Sequence, residues 1–387
     1  MEPNMYNIFK KHRRWRLMTS ILSLSLLTVM AGAAVAPALN IIQEHFSNAS
    51  PGLVQMIISI PAIFIAITNL FFRKLSRLFT ARMLVIIGLV LYIAGGCLAG
   101  AFDNIYIILI FRAIVGIGVG IIMPLSTGLI TFFFTRDKHS ILMGYSSALN
   151  MLGGVIATLI AGALAMVSWR LSFMVYLLGF AALIPCILWM PSEYIADKKR
   201  DESPVSDRTG FAPYIICMFL LMLTFFIYPS NFAIETMKTG VLNQSVIGPI
   251  MAMMDLIGFA GGLIFSKAKG IAKVCGWLIA PLAFLIAYCL LLFAVNVPGI
   301  LFGSALIGFA NGFGVPYIIS KGAAKAGKNA ATTIIPLLSM ALYIAQFFTP
   351  AIVTAVNALV GVPDFSSYCV AIASSLLLLL CSSVIRI

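Results

Sequence analysis

Charge is placed along this chain in a way that leaves little choice of fold. Met83 to Ala101 contains no charged residue, and it is one of twelve apolar blocks divided by short polar connectors. A helix needs about 20 predominantly apolar residues to cross a bilayer. The blocks cover 17–42, 53–72, 83–102, 105–134, 141–166, 171–190, 211–234, 246–266, 276–295, 299–319, 330–356 and 368–385. Of the 387 residues, 61% are hydrophobic and 10% are charged, whereas soluble domains carry about a quarter charged residues. So little polar surface cannot cover a water-soluble particle of this size. A cytosolic enzyme, a nucleic-acid-binding protein and a disordered scaffold are all excluded. The expected fold class is an all-α integral membrane protein with twelve transmembrane helices and a lipid bilayer as its solvent.

The net charge of +13 has a topological reading. With the N-terminus inside, 22 of the 25 Lys and Arg fall on inner segments, Arg170 and Lys238 fall on outer loops, and Arg112 lies within a span. Inner loops of membrane proteins collect Lys and Arg. A miscounted span would mix the two sides from that point onward, so both termini are expected in the cytoplasm. The N-terminal pattern of basic residues, apolar stretch and Ala34-Val35-Ala36 imitates a signal peptide. Its apolar stretch is too long for one, and Pro37 would follow the cut directly. It reads as a retained first span. The seven cysteines have no CxxC spacing, and neither a disulfide framework nor a metal site is indicated.

The longest charged stretch inside the chain, Glu193 to Arg208, falls between spans six and seven. It divides the expected organisation into residues 1–190, a cytoplasmic linker at 191–210, and residues 211–387. The two parts carry traces of duplication. Span four reads Gly116-x3-Gly120-x3-Pro124 and span ten reads Gly308-x3-Gly312-x3-Pro316, an offset of 192 at all three positions. Leu70-x-Phe72-x-Lys74 ends span two and Leu263-x-Phe265-x-Lys267 ends span eight, an offset of 193. Glycines four apart let helices approach closely, and two pseudo-symmetric six-helix halves that rock about a central site need such packing.

These motifs resemble the major facilitator superfamily over essentially the full chain. Arg112-x3-Gly116-x-Gly118-x-Gly120-x3-Pro124 is similar to the family's span-four motif, arginine included. Span five resembles its antiporter motif: Gly144, Gly153 and Gly162 fit, while Ala157, Thr158 and Ala161 stand where Gly, Pro and Gly are expected. Trp169-Arg170-x2-Phe173 resembles the turn into span six, and Pro37-x-Leu39 the end of span one. One departure is serious. In the loop after span two, Arg77 takes the place of the family's gate-latching aspartate, and Thr80 that of its second glycine. The resemblance is to twelve-span bacterial drug/proton antiporters and sugar-efflux permeases. It implies a multi-pass protein of the bacterial cell membrane, functional as a monomer, with a small-molecule substrate and protons as partners.

Charges inside a bilayer are costly and usually functional. Arg112 and Asp255 are the two placed well inside spans. Arg112 either snorkels outward or serves a cavity, and the motif favours the cavity. Asp255 sits near the middle of span eight, too short to snorkel from that depth. A carboxylate there is poorly solvated and gains by taking a proton, which makes Asp255 the candidate proton-coupling group. Its alternatives are binding a cationic substrate and bonding a neighbouring helix. Neutral polar residues add candidate cavity or substrate contacts: Asn150, Asn311, Tyr343 and Gln346, with Tyr228, Asn231 and Glu235 toward the outer end of span seven. All three histidines lie outside the spans, so no intramembrane histidine relay is available. Gly322-x4-Gly327-Lys328 imitates a nucleotide loop, but Asn329 replaces the magnesium-binding Ser/Thr.

The leading expectation is a secondary active transporter working by alternating access as a proton-coupled efflux antiporter, without a cofactor. A passive uniporter, a channel or an uptake symporter is the alternative. The short loops speak against a channel filter. A membrane enzyme fares worst, because one buried acid and no buried histidine leave no acid–base pair. The topology is testable. Single cysteines at Lys199 and Lys325 are expected to be shielded from an impermeant thiol reagent in intact cells, while one at Lys238 reacts. The reverse labelling pattern would overturn the topology.

Overall fold

The computed structural model describes residues 3–134, 136–194, 209–267, 269–293, 296–326, 330–361 and 366–384. Most of the expected linker, including Lys198, Lys199, Arg200 and Arg208, lies outside the described residues, as do Gly327, Lys328, Asn329 and Arg386. Among the described residues, eleven helices are long and apolar enough to cross a membrane, and the stretch Ser367–Ser383 is a shorter apolar helix. Among the described residues there is no strand.

Two spans depart from single continuous helices. Span one is helical over Pro3–Thr28, Met30–Ala33 and Leu39–His45, with a 3₁₀ turn at Ala36–Ala38 around Pro37. Span six runs as Trp169–Ser172, a 3₁₀ stretch Phe173–Gly179, and Phe180–Trp189. The others are Pro51–Leu78, Ala81–Ala99, Ile105–Phe133, Arg136–Ala165, Ala212–Thr239, Gln244–Lys267, Lys269–Phe293, Val297–Ala326, Ala330–Val360 and Ser367–Val384, spans two to five and seven to twelve. Their ends follow local chemistry. Ser50 and Thr80 cap spans two and three, and Asn104 accepts from Tyr106 N–H at 2.9 Å to start span four. Gly240 and Gly361, at φ +66° and +64°, terminate spans seven and eleven in the left-handed region.

The same packing recurs in both halves. Span four lies against spans two and three, and span ten lies against spans eight and nine. Spans one and seven each pack on the fifth and sixth helices of their own half. The correspondence extends to single backbone atoms. A Cβ on Gly116 would lie 2.4 Å from Pro61 O, and one on Gly308 would lie 2.0 Å from Met254 O. Gly120 meets Ile65 O at 3.1 Å and Gly312 meets Gly258 O at 1.8 Å, measured the same way. Pro61 and Met254, like Ile65 and Gly258, stand 193 positions apart. Pro124 and Pro316 lie inside their helices, one turn beyond these contacts.

Between the halves, span two packs on span eleven, span five on span eight, and the outer part of span one on span seven. On the side assigned as outer by the charge bias, the helices meet closely. A Cβ on Gly52 would lie 2.4 Å from Thr354 Oγ1, and one on Gly162 would lie 2.8 Å from Gly248 Cα. Gln244 Nε2 donates to Pro37 O at 2.7 Å, and Gln55 Nε2 donates to Asn231 Oδ1 at 2.7 Å. The seam is closed toward the outside. An outer tie also holds the first half together: Asp103 accepts from Arg170 and pairs with His45 at 3.0 Å. These partners, Arg170 first, hold the exposed Asp103 carboxyl below its usual range.

The glycine contacts predict a graded response. Gly312→Ala is expected to cost about 1–3 kcal/mol through overpacking and to lower the melting temperature in detergent. Gly262→Ala, whose added Cβ meets Gly312 O at an ordinary 3.5 Å, is expected to melt near the parent temperature. Equal melting of the two variants would contradict the packing.

Candidate functional site

Arg112 is fully buried, and its guanidinium is enclosed by the first half. Nε donates to Ile57 O at 2.7 Å, one terminal nitrogen donates to Ala31 O at 2.6 Å, and the other to the Tyr176 hydroxyl. Each acceptor has a local reason to be free. Residue 61 is proline, so the Ile57 carbonyl has no N–H four residues ahead to bond. Ala31 lies in the interrupted part of span one, and its carbonyl also accepts from Tyr176 at 3.0 Å. Gly96 makes room for the tyrosine, since a Cβ there would lie 2.1 Å from the ring. Arg112 is therefore a tie among spans one, two, four and six. The expectation was that it lines a cavity; in this structure each of its three nitrogens donates within its own half.

Asp255 occupies the opposite situation. It is half-buried on span eight where that helix crosses span five. Its Oδ2 lies 3.4 Å from Thr158 Oγ1, and Thr158 donates to Gly154 O at 2.9 Å. A Cβ on Gly154 would lie 3.6 Å from the same carboxylate oxygen. Among the described residues Asp255 has no ion-pair partner. Arg112, whose nitrogens bond within the first half, is not among its partners.

The remaining candidates divide by location. Asn231 bridges to Gln55 across the seam and steadies itself on Ile227 O at 2.9 Å. Gln346 lies beside Ile58 O at 3.4 Å, with Gly32 close to its amide nitrogen. The Tyr343 hydroxyl reaches Met123 Sδ of span four. These three, with Asp255, stand between the halves. Asn150 accepts from Thr28 at 2.5 Å, joining spans one and five. Asn311 keeps a buried Oδ1 with no bonding partner. Gly153 presses span five onto Leu26 O, and Gly144 lies on the same helix.

Two expected cavity residues are used for architecture instead. Tyr228 is fully buried, donates to Ser304 at 2.8 Å and stacks on Phe232 at 4.4 Å. Glu235 accepts from Ser367 N–H at 3.2 Å and from the Ser367 and Ser366 hydroxyls at 3.1 and 3.3 Å. A carboxylate accepting from the first N–H groups of a helix caps it and complements its dipole. Glu235 starts span twelve. Sequence reasoning missed Gln55, although an amide within an apolar span is a readable signal. It noted Thr158 only as a departure from the span-five motif and had no signal for Tyr176.

A broken first span, paired inter-half seams and, among the described residues, a carboxyl between them without an ion-pair partner describe a two-part helical membrane protein. The sequence model described as Major Facilitator Superfamily matches residues 21–350, and the chain belongs to that family. An uncharacterised transporter of Schizosaccharomyces pombe is 29% identical over 153 residues, 40% of this chain and 31% of that protein. The multidrug transporter protein MdtP of Bacillus subtilis is 32% identical over 113 residues, 29% of this chain and 21% of that protein. The matched stretch thus spans less than a third of either relative's length. Among solved structures, a bacterial homologue of the human lysosomal transporter Spinster, inward-facing and unoccupied, is similar with TM-score 0.69 at 15% identity. That likeness covers 97% of this chain and 95% of the other. The nucleoside transporter NupG is similar with TM-score 0.76 at 11% identity, covering 95% of this chain and 99% of its own. The relatives come from a fungus and a bacterium, so the bacterial origin expected from the motifs is not settled by them.

Arg112→Ala is expected to remove a structural tie. Each carbonyl or hydroxyl left buried without its donor costs about 1–3 kcal/mol, so the variant should melt well below the parent. Arg112→Lys is expected to recover little, because one ammonium cannot reproduce the planar fork. Parent-like melting of Arg112→Ala would contradict the assignment.

Proposed function

We propose that this transporter is a proton-coupled antiporter that exports a small organic molecule, with Asp255 as its coupling group. The observation that carries this reading is a carboxyl at an inter-half seam with no cation beside it among the described residues. Burying an unpaired charge is expensive, so protonation and conformation of such a group are linked. Residues 1–190 and 211–387 act as the two moving bodies, joined by 191–210. Parting of the outer seam would hydrate Asp255 from one side, and its closure would transfer that access to the other. Efflux is supported by the span-five motif and by the Bacillus subtilis relatives, one named a multidrug transporter and the other a multidrug resistance protein. With Arg112 enclosed in its own half, Asp255 favours neutral or cationic cargo over anions.

The test begins with a thermal-shift screen of the purified protein, since a compound that binds the folded state raises its melting temperature. The stabilising compound is then followed in proteoliposomes. Asp255→Asn is expected to abolish its accumulation driven by a pH gradient while leaving downhill exchange in place. Accumulation at the parent level in Asp255→Asn would refute proton coupling through this residue.

A further inference from the structure

The bridge between Gln55 of span two and Asn231 of span seven has a fixed polarity. Ile227 O can only accept, so the Asn231 atom 2.9 Å from it is Nδ2, and Asn231 turns Oδ1 toward span two. Gln55 must answer with amide hydrogens, and its Nε2 donates to that oxygen at 2.7 Å. This leaves Gln55 Oε1, an atom that only accepts. It is buried, and among the described residues it has no hydrogen-bond partner. Ser59 repeats the situation one turn deeper. Residues four apart on a helix share a face, and Ser59 Oγ is likewise buried and without a partner among the described residues. Buried hydroxyls elsewhere in the spans bond back along their own helix, Thr349 to Ala345 O and Ser375 to Ala371 O, both at 2.7 Å. Ser59 does not. Leaving a buried acceptor without a donor is unfavourable, and span two carries two such oxygens on one face, beside the seam that Gln55 crosses.

We propose that Gln55 is a specificity-determining residue of this transporter, which takes a hydrogen bond from an N–H or O–H group of the cargo at Oε1, with Ser59 Oγ as a second contact one turn deeper. This rests on the reading that a small molecule passes between the halves, and not on the coupling role of Asp255. The chemistry restricts the cargo. Two oxygens on one helix face favour amines and alcohols, which donate, over ethers, quaternary ammonium ions and anions, which do not. The position links recognition to opening. Asn231 belongs to the second half, so parting of the outer seam draws it away from Gln55. Gln55 Oε1 and Ser59 Oγ stay together on the first half and meet the cargo there.

Matched pairs of probes read this preference directly: phenylalkyl amines with their trimethylammonium counterparts, and phenylalkyl alcohols with their methyl ethers. Only one member of each pair can donate. Affinities follow from the melting temperature of the full-length protein in detergent as each probe is added. The parent is expected to bind the donating member about tenfold more tightly. Gln55→Leu is expected to bring the two members of each pair to near-equal affinity, whereas Gln55→Glu keeps an acceptor oxygen in place and keeps the preference. Ser59→Ala leaves the bridge to Asn231 intact and is expected to narrow the preference about threefold. It serves as the second variant should Gln55→Leu impair folding. Equal binding within the pairs by the parent, a preference that survives Gln55→Leu or Ser59→Ala undiminished, or failure of every donating probe to raise the parent's melting temperature would overturn the proposal. The alcohol and ether probes are uncharged and no proton gradient is applied, so failure of this contact and failure of coupling through Asp255 are separate results.

Discussion

A guanidinium in the hydrocarbon interior must find an acceptor for its donors, and the first half of this protein is arranged to supply them to Arg112. Helical backbone normally offers none, because each carbonyl is bonded along its own helix. Here Pro61 withholds the hydrogen that Ile57 O would otherwise accept, and the interruption of span one brings Ala31 O within reach of two side chains. One arginine thereby joins four spans and fixes where span one bends. Its outer segment, Leu39–His45, then lies against span seven and contributes to the closed outer side.

The division of labour between the two intramembrane charges follows. Arg112 is buried inside one body, where each of its three nitrogens donates to a neutral oxygen. Asp255 has a hydroxyl and a glycine for neighbours and lies where the two bodies meet. A charge whose hydrogen bonds close within one body favours one arrangement, whereas a carboxyl placed where two bodies meet is proposed to make the arrangement sensitive to its proton. The outer closure itself uses neutral groups, Gln55 with Asn231 and Gln244 with Pro37 O, together with close approaches at Gly52 and Gly162. Charge-free contacts of this kind close without demanding a proton of their own.

Much of this was legible in the sequence, and for physical reasons. Spacing of uncharged blocks sets helix number because hydrocarbon thickness is fixed. The offset of the span-four and span-ten glycines anticipated equivalent contacts because a backbone pressing at those positions leaves no room for a Cβ. Side-chain roles were less legible. Tyr228 and Glu235 look in sequence like Asn231, a polar residue near a span's outer end, yet one bonds Ser304, one caps span twelve and one crosses the seam. The face each presents depends on helix rotation, which polar spacing within a uniformly apolar helix does not set. Arg112 carried a readable clue in Pro61, but the pairing needs two spans in register, and that is a tertiary fact.

The central claim is that the two halves part on the outer side and that the protonation of Asp255 biases this motion. Its most direct test is a distance. Spin labels at Glu44 of span one and Lys238 of span seven, both exposed at the outer ends, report the opening by pulsed dipolar spectroscopy in lipid nanodiscs. The account predicts two separations, with the longer one gaining population as pH rises and Asp255 deprotonates, and with that pH dependence lost in Asp255→Asn. A single separation unchanged by pH in the parent protein, or the same pH response in Asp255→Asn, would contradict it.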